Sequence, residues 1–127
     1  SLSHFKGKKL VLYFYPKDQT PGCTAEACGL RDHYPLLLKQ GYDVIGISAD
    51  DEKSHQKFIE KNKLPFSLIA DTDKKIIMAY GVWGLKKFMG KEYERVLRTT
   101  FIIDEEGIIE EVITKVDTKN HTSQIIK

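Results

Sequence analysis

The fold is decided by residues 8–32, which read "KKLVLYFYPKDQTPGCTAEACGLRD". Lys8 to Pro16 form a nearly continuous apolar and aromatic run, which is typical of a strand covered on both faces of a sheet. Apolar residues at helical spacing follow up to Leu38, so one helix is predicted from residue 21 to Gly41. Pro35 should kink this helix, because it removes a backbone donor.

The rest of the chain continues the alternation of strands and helices. Strands are predicted at 42–50, 66–71, 95–104 and 108–114, and helices at 51–62, 73–82 and after Thr118; residues 83–94 are predicted as a loop. Early βαβ units imply parallel strands, and the closing hairpin adds antiparallel ones. We therefore predict one α/β domain, residues 1–127, with a mixed central β-sheet flanked by helices, compatible with a thioredoxin-like fold.

The composition excludes several classes of function. The chain has 127 residues, a net charge of +2 and 30% charged residues, as an ordinary globular protein has. No long run of one charge suggests binding to nucleic acid or to a membrane surface. No apolar run approaches the roughly 20 residues of a membrane span, and no signal-like segment opens the chain. A cytoplasmic location is therefore expected.

Cys23 and Cys28 are the two cysteines of the chain, five positions apart. Two cysteines do not make a disulfide scaffold. A zinc site needs about four ligands, and His33 is the one histidine close to them in sequence. A CxxC motif is absent, which disfavours a thioredoxin-type disulfide reductase. The pair is either two buried small side chains or a redox pair.

Cys23 is predicted just beyond a buried strand, at the start of a helix, where open α/β sheets bind ligands. Unpaired amides and the helix dipole stabilise a thiolate at that position. Pro21 has no donor to leave unpaired in the first turn, and Gly22 lets the backbone approach a small ligand. The Thr20 hydroxyl can bend back toward the sulfur, and Pro16 can shield the pocket from water.

The spacing of the two cysteines separates them while the helix is folded. Five residues rise about 7.5 Å along a straight helix, and the two side chains diverge by roughly 140°. A disulfide needs Cα atoms about 4.4–6.8 Å apart with converging side chains. If Cys23 and Cys28 do bond, the first turns must therefore unwind, and Gly29 makes the unwinding easier.

The residues Pro16, Thr20 and Cys23 form the pattern P-x-x-x-T-x-x-C, which resembles the active-site signature of the peroxiredoxins. The string "FYPKDQTPGCTAEACGLRD" is similar to the peroxiredoxin Q, or bacterioferritin comigratory protein, subfamily. The later string "GVWGLKKFMGKEYERVLRTTFIIDEEG" also resembles that subfamily and includes Arg98. The resemblance covers nearly all of the chain.

This resemblance implies a thiol peroxidase that reduces hydrogen peroxide and organic hydroperoxides. Cys23 would be the peroxidatic cysteine, and Thr20 and Arg98 would donate hydrogen bonds to the reacting atoms, with Pro16 beside them. Cys28 would resolve the sulfenic acid as an intramolecular disulfide. Thioredoxin or a similar dithiol would be the reductant. A monomer without metal or other cofactor is expected.

The substrate pocket is expected to include Pro21, Gly22 and Glu26. Glu26 matches a glutamate that the family often has, and it could orient a neighbouring arginine. As a residue near the helix start, it could equally serve the helix dipole alone.

Other polar residues receive simpler predictions. Arg95 could be a second pocket cation, although an exposed arginine at a strand end is the simpler interpretation. Lys17 and Asp18 are expected in a solvated loop. The histidines are expected at the surface: His4, His33, His55 and His121.

The sequence departs from the family pattern at its start. Family members usually carry an N-terminal β-hairpin ahead of the segment that begins here with "SLSHFKGKK", so we expect this hairpin of the family to be absent. Its absence would affect the sheet edge that it normally covers.

Two other classes of function remain open. A thiol–disulfide oxidoreductase acting on proteins would use Cys23 without needing Thr20 and Arg98. A redox sensor or holdase would use the local unfolding as a signal to a partner. Peroxide consumption separates both classes from a peroxidase.

Overall fold

The computed structural model describes residues 8–88 and 90–125. Its elements in chain order are β1 (Lys9–Phe14), α1 (Pro21–Asp32), α2 (Tyr34–Lys39), β2 (Tyr42–Ser48), α3 (Glu52–Asn62), β3 (Ser67–Ala70), α4 (Lys75–Ala79), β4 (Trp83–Phe88), β5 (Lys91–Val96), β6 (Thr99–Ile103), β7 (Ile109–Ile113) and α5 (His121–Ile125).

Five strands form the central sheet in the order β3-β2-β1-β6-β7. Strands β1, β2 and β3 are parallel, and β6 runs antiparallel to both β1 and β7. This sheet with its flanking helices confirms the predicted mixed α/β architecture and the thioredoxin-like fold.

Strand β1 lies at the centre of the sheet and contributes to both cores. Val11 and Tyr13, together with Tyr15 just beyond the strand, enter one hydrophobic cluster with residues of α1, α2 and α3. Leu10, Leu12 and Phe14 enter the other, with residues of β2, α4 and β6. Burial of each such side chain contributes about 1.5–3 kcal/mol relative to exposure. The continuous apolar run therefore predicted a strand buried on both faces correctly.

The predicted helix over residues 21–41 is divided in two at His33, which ends α1 and precedes α2. Pro35 occupies the second position of α2, where its missing N–H breaks no helical hydrogen bond. The proline thus helps begin a new helix, and the prediction of a single kinked helix was wrong.

The predicted loop at residues 83–94 is also wrong, because β4 and β5 pair there as a separate antiparallel sheet. The predicted strand 95–104 is correspondingly divided: β5 ends at Val96 and β6 begins at Thr99. A strand that leaves one sheet for another must break, and Arg98 lies in the break. The backbone there is held by the Leu97 amide, which donates to the Val82 carbonyl at 2.6 Å.

Candidate active site

Cys23 is the third residue of α1, and its side chain is buried, with 1% exposure. Thr20 precedes the helix with an extended backbone, and its carbonyl accepts the first helical hydrogen bond, from the Thr24 amide at 2.8 Å. Amides in the first turn of a helix lack partners within the helix and carry partial positive charge. The fold therefore sets the thiol where negative charge on sulfur is stabilised, as the sequence predicts.

Arg98 connects Cys23 to Glu26. Its Nη2 lies 3.1 Å from Cys23 Sγ, and its Nη1 donates to Glu26 Oε1 at 2.6 Å. Burial alone would lower the pKa of Arg98, but the neighbouring sulfur and carboxylate outweigh burial and raise that pKa. The guanidinium is thus a fixed positive charge beside the sulfur.

Gly22 makes room for this arrangement. A Cβ atom at Gly22 would lie 3.3 Å from Arg98 Nη2, which is tighter than ordinary van der Waals contact. The absence of a side chain lets the guanidinium reach the sulfur across the first turn of α1. This gives Gly22 a role in the site that differs from direct approach to a ligand.

An open cavity of about 410 Å³ lies beside the site and brings together four of the eight predicted site residues. Its lining comprises Pro16, Lys17, Thr20, Gly22, Arg95 and Arg98. Arg95 and Arg98 also line a second cavity, of about 520 Å³. Arg95 is half-buried at these cavities, which favours the interpretation as a second pocket cation over that of an exposed strand end.

Two predicted pocket residues are placed differently. Pro21 is exposed at the first position of α1 and does not line the cavity. The Thr20 hydroxyl lies beside the cavity but donates to the Lys17 carbonyl at 2.9 Å, within its own loop.

Glu26 lies behind Arg98 and is fully buried, with 0% exposure. Its contact with Arg98 supports the prediction that it orients an arginine, and it does not line the open cavity. Burial raises the pKa of Glu26 to about 7, although the charge and hydrogen bond of Arg98 oppose this rise.

Cys28 faces the opposite side of α1 from Cys23. Its sulfur lies 3.6 Å from Asn62 Oδ1 at the end of α3, and the side chain is partly exposed. The neighbouring Arg31 donates to the Asn62 carbonyl at 2.7 Å. Both cysteines are free thiols on one intact helix, so the folded helix keeps them apart as the spacing predicts.

The sequence was compared with those of known protein families. Residues 1–112 match the model of the AhpC/TSA family. The chain belongs to the AhpC/TSA family. A Coxiella burnetii protein assigned to the peroxiredoxins as Bcp is 51% identical over 126 residues, covering 99% of this chain and 83% of that protein. Peroxiredoxin Bcp of Escherichia coli is 45% identical over 126 residues, covering 99% of this chain and 81% of that protein.

A solved structure of the Xanthomonas campestris bacterioferritin comigratory protein superposes with a TM-score of 0.91 at 34% identity. It covers 98% of this chain and 80% of that one, and the study of it concerns alkyl peroxide reduction activity. The chain is therefore a peroxiredoxin of the Bcp, or peroxiredoxin Q, type. It is a thiol peroxidase, an oxidoreductase, as the sequence resemblance implies.

The loop that carries the peroxiredoxin motif is fixed by a buried network that sequence reasoning missed. Asp18 was expected in a solvated loop and His55 at the surface, and both expectations were wrong, since both are buried. His55 Nδ1 lies 2.7 Å from Asp18 Oδ2. Tyr15 and Ser54 donate their hydroxyls to the same carboxylate at 2.7 and 2.8 Å.

One signal in the sequence could have suggested this contact. Asp18 follows β1 and His55 follows β2, and these strands are parallel neighbours. The carboxyl ends of parallel strands meet at one edge of a sheet. Two polar residues shortly after such strands are therefore candidates for contact.

Three groups of this network could in principle hold a metal ion: Asp18, Asp50 and His55. Their potential ligand atoms already take part in hydrogen bonds within the protein. Asp50 Oδ2 accepts from the Asp18 amide and the Ser48 hydroxyl, both at 2.8 Å. His55 Nε2 lies 3.0 Å from the Ile69 carbonyl. The arrangement is that of an ion pair that anchors the active-site loop.

The remaining histidines differ in their exposure to solvent. His121 is buried, with 2% exposure, which corrects the prediction of a surface position, whereas His33 is exposed as predicted. His4 lies outside the described residues.

Among the described helices, none combines the length and apolar character that crossing a membrane requires.

Proposed function

We propose that the chain reduces hydrogen peroxide and organic hydroperoxides with Cys23 as the peroxidatic cysteine and Cys28 as the resolving cysteine. Thioredoxin or a similar dithiol would be the reductant. The observation that carries the proposal is the 3.1 Å contact between Arg98 Nη2 and Cys23 Sγ at the start of α1. A purely structural buried cysteine would not need a guanidinium fixed beside its sulfur.

In the first step, the Cys23 thiolate attacks the terminal oxygen of the hydroperoxide. The S–O bond forms and the O–O bond breaks, so that sulfur loses two electrons and becomes a sulfenic acid. The leaving alkoxide or hydroxide takes a proton and departs as alcohol or water. Arg98 and the first-turn amides stabilise the negative charge that spreads over sulfur and both oxygens.

In the second step, Cys28 attacks the sulfenic sulfur, and water leaves as the disulfide forms. Because the two side chains diverge on the folded helix, α1 must unwind first. Unwinding would release Cys28 from Asn62 and Arg31 from the Asn62 carbonyl. The dithiol reductant then restores both thiols by thiol–disulfide exchange.

The cavity supports a substrate range wider than hydrogen peroxide. Its volume of about 410 Å³ leaves room for an organic group beyond the O–O bond. Alkyl peroxide reduction by the similar Xanthomonas campestris protein supports the same proposal.

Formation of the disulfide within one chain bears on the oligomeric state and on the cellular location of the protein. An intramolecular disulfide needs no residue from a second subunit, so we propose a monomer. We also propose a cytoplasmic location, because dithiol reductants keep thiols reduced there.

The cysteine roles can be tested by adding one equivalent of peroxide to the reduced protein and mapping its peptides by mass spectrometry. We expect a Cys23–Cys28 disulfide in the unmodified chain. Cys28→Ser should yield a Cys23 sulfenic acid that dimedone traps, and Cys23→Ser should yield neither product. Dimedone labelling of Cys28 in Cys23→Ser, at the same rate, would overturn the assignment. Reduction of protein disulfides without peroxide consumption would favour a thiol–disulfide oxidoreductase.

A further inference from the structure

One carboxylate oxygen of Glu26 is buried without a hydrogen-bond partner. Oε1 accepts from Arg98 at 2.6 Å, whereas Oε2 has no hydrogen bond and lies 3.6 Å from His121 Nε2. Both side chains are at most 1% exposed. An ionised oxygen left unpaired in the interior is costly, and a proton on that oxygen removes most of the cost.

The neighbours of His121 determine which of its nitrogens carries a proton. The Gln124 amide donates through its nitrogen to the Lys115 carbonyl at 2.9 Å, and its oxygen accepts from the Asp117 amide at 2.8 Å. Gln124 therefore presents an acceptor to His121 Nδ1, also at 2.8 Å, and Nδ1 must donate.

It follows that Nε2 of neutral His121 is an acceptor. The Thr100 hydroxyl lies 2.8 Å from Nε2, and Glu26 Oε2 lies 3.6 Å from it, so the two oxygens compete as donors to the single lone pair of Nε2. The gap between Glu26 Oε2 and His121 Nε2 can hold one proton, bound to either of them.

The charges around Glu26 connect this proton to the reacting sulfur. Arg98 is the cation between Glu26 and Cys23, and the Tyr13 phenol, whose pKa burial raises, faces them as a neutral group from β1. With a thiolate and an ionised Glu26, two negative charges share one guanidinium. With a proton on Glu26, one negative charge balances one positive charge.

We propose that Glu26 and His121 are positioning residues that hold one proton behind Arg98 while Cys23 is a thiolate, and release it when Cys23 becomes a sulfenic acid. This inference rests on the proposed role of Cys23. For each proton that the leaving alkoxide takes up, Glu26 and His121 release one proton. The reaction of thiolate with hydroperoxide to give sulfenic acid and alcohol then leaves the net charge of the pocket unchanged.

The ionisation behaviour of the two groups supports this assignment. Burial raises the pKa of Glu26 to about 7, within reach of neutral pH. Burial lowers the pKa of His121, and the Gln124 hydrogen bond only partly opposes this effect. Of the two groups, Glu26 is therefore the one that binds the shared proton more readily, with His121 as its neutral neighbour.

The direct test is a pH titration by carbon NMR of the reduced protein with glutamate labelled at the side-chain carboxyl carbon. Glu26→Gln assigns the signal, and exposed Glu60 serves as an internal control. We expect the Glu26 midpoint to fall by about one pH unit or more in Cys23→Ser, which has no thiolate. The Glu60 midpoint should not change. An equal Glu26 midpoint in both proteins would overturn the proposal.

A second measurement follows the rate of Cys23 oxidation by peroxide against pH. Glu26→Gln keeps an acceptor for Arg98 but cannot take up the proton, so we expect an inflection near neutral pH to disappear from its profile. Glu60→Gln should retain the inflection. An unchanged profile in Glu26→Gln would contradict the inference. If the protein does not reduce peroxide at all, the proposed function fails, and the NMR titration still decides whether Cys23 and Glu26 are coupled.

Discussion

The buried pair of Asp18 and His55 should make the stability of the fold depend on a single carboxylate. His55 Nε2 lies 3.0 Å from the Ile69 carbonyl, which can only accept, so Nε2 carries a proton. Nδ1 lies 2.7 Å from Asp18 Oδ2, and both side chains are at most 3% exposed. The substitution Asp18→Asn would leave a buried imidazolium facing a neutral amide.

The expected loss of folding stability in Asp18→Asn follows from the burial of both side chains. Removing one partner of a buried ion pair costs about 3–5 kcal/mol, because the other charge is left uncompensated. The Tyr15 and Ser54 hydroxyls also lose a charged acceptor. We expect the free energy of unfolding of Asp18→Asn to fall by about 3 kcal/mol or more, and the melting temperature by at least about 6 °C.

The pH dependence of this loss has a definite sign. Burial would lower the pKa of His55, but Asp18 outweighs it and raises that pKa above 6.5. The contribution of His55 is therefore complete below pH 6.5 and is lost as the pH rises through the raised folded value. Burial would raise the pKa of Asp18, but its hydrogen bonds from His55, Tyr15 and Ser54 lower it below 3.8. The contribution of Asp18 is present above pH 3.8 and is lost as the pH falls through the lowered value.

The assay is urea unfolding of the reduced protein and of Asp18→Asn across this pH range. The control is Lys75→Gln, which removes an exposed pair of 3.9 Å and should change stability by no more than about 0.5 kcal/mol. The difference between Asp18→Asn and the unmodified chain should be largest near pH 6 and should shrink at alkaline pH. A difference below about 1 kcal/mol at pH 6, or one that does not vary with pH, would refute this reasoning.

Three further substitutions test the packing around the site. Gly46→Ala would place a Cβ 2.7 Å from both Leu68 and the Tyr13 ring, so urea unfolding should show a loss of about 1–3 kcal/mol. Gly22→Ala would crowd Arg98 Nη2 at 3.3 Å, so stopped-flow kinetics should show slower oxidation of Cys23 with little change in melting temperature. Arg31→Ala removes the 2.7 Å bond from α1 to the end of α3, so α1 should unwind more readily and disulfide formation should accelerate severalfold in single-turnover fluorescence. An unchanged rate in Gly22→Ala or Arg31→Ala would contradict the role of that contact.

Local patterns in the sequence predicted the central strand and the position of Cys23. The apolar run that forms β1 is continuous, and Pro16, Thr20 and Cys23 lie within eight positions, so neither depends on distant parts of the chain. Arg98 is far from Cys23 in sequence, and it was found through the resemblance to a family.

What could not be predicted depends on contacts between distant residues. Asp18 and His55 are 37 positions apart, and a charged residue in isolation suggests solvent exposure. The pairing of β4 with β5 was missed because neither segment shows a regular alternation of apolar and polar residues. His121 meets Glu26 only because the chain returns to the start of α1 through α5, and a lone histidine carries no sign of that.

The central claim is that Cys23, held beside Arg98, is a thiol activated for peroxide reduction. The most direct test is stopped-flow measurement of hydrogen peroxide consumption by the reduced protein, Cys23→Ser and Cys28→Ser. We predict fast consumption by the unmodified chain, none by Cys23→Ser, and a single turnover by Cys28→Ser without added reductant. Consumption by the unmodified chain no faster than by a free thiol in solution would contradict the account.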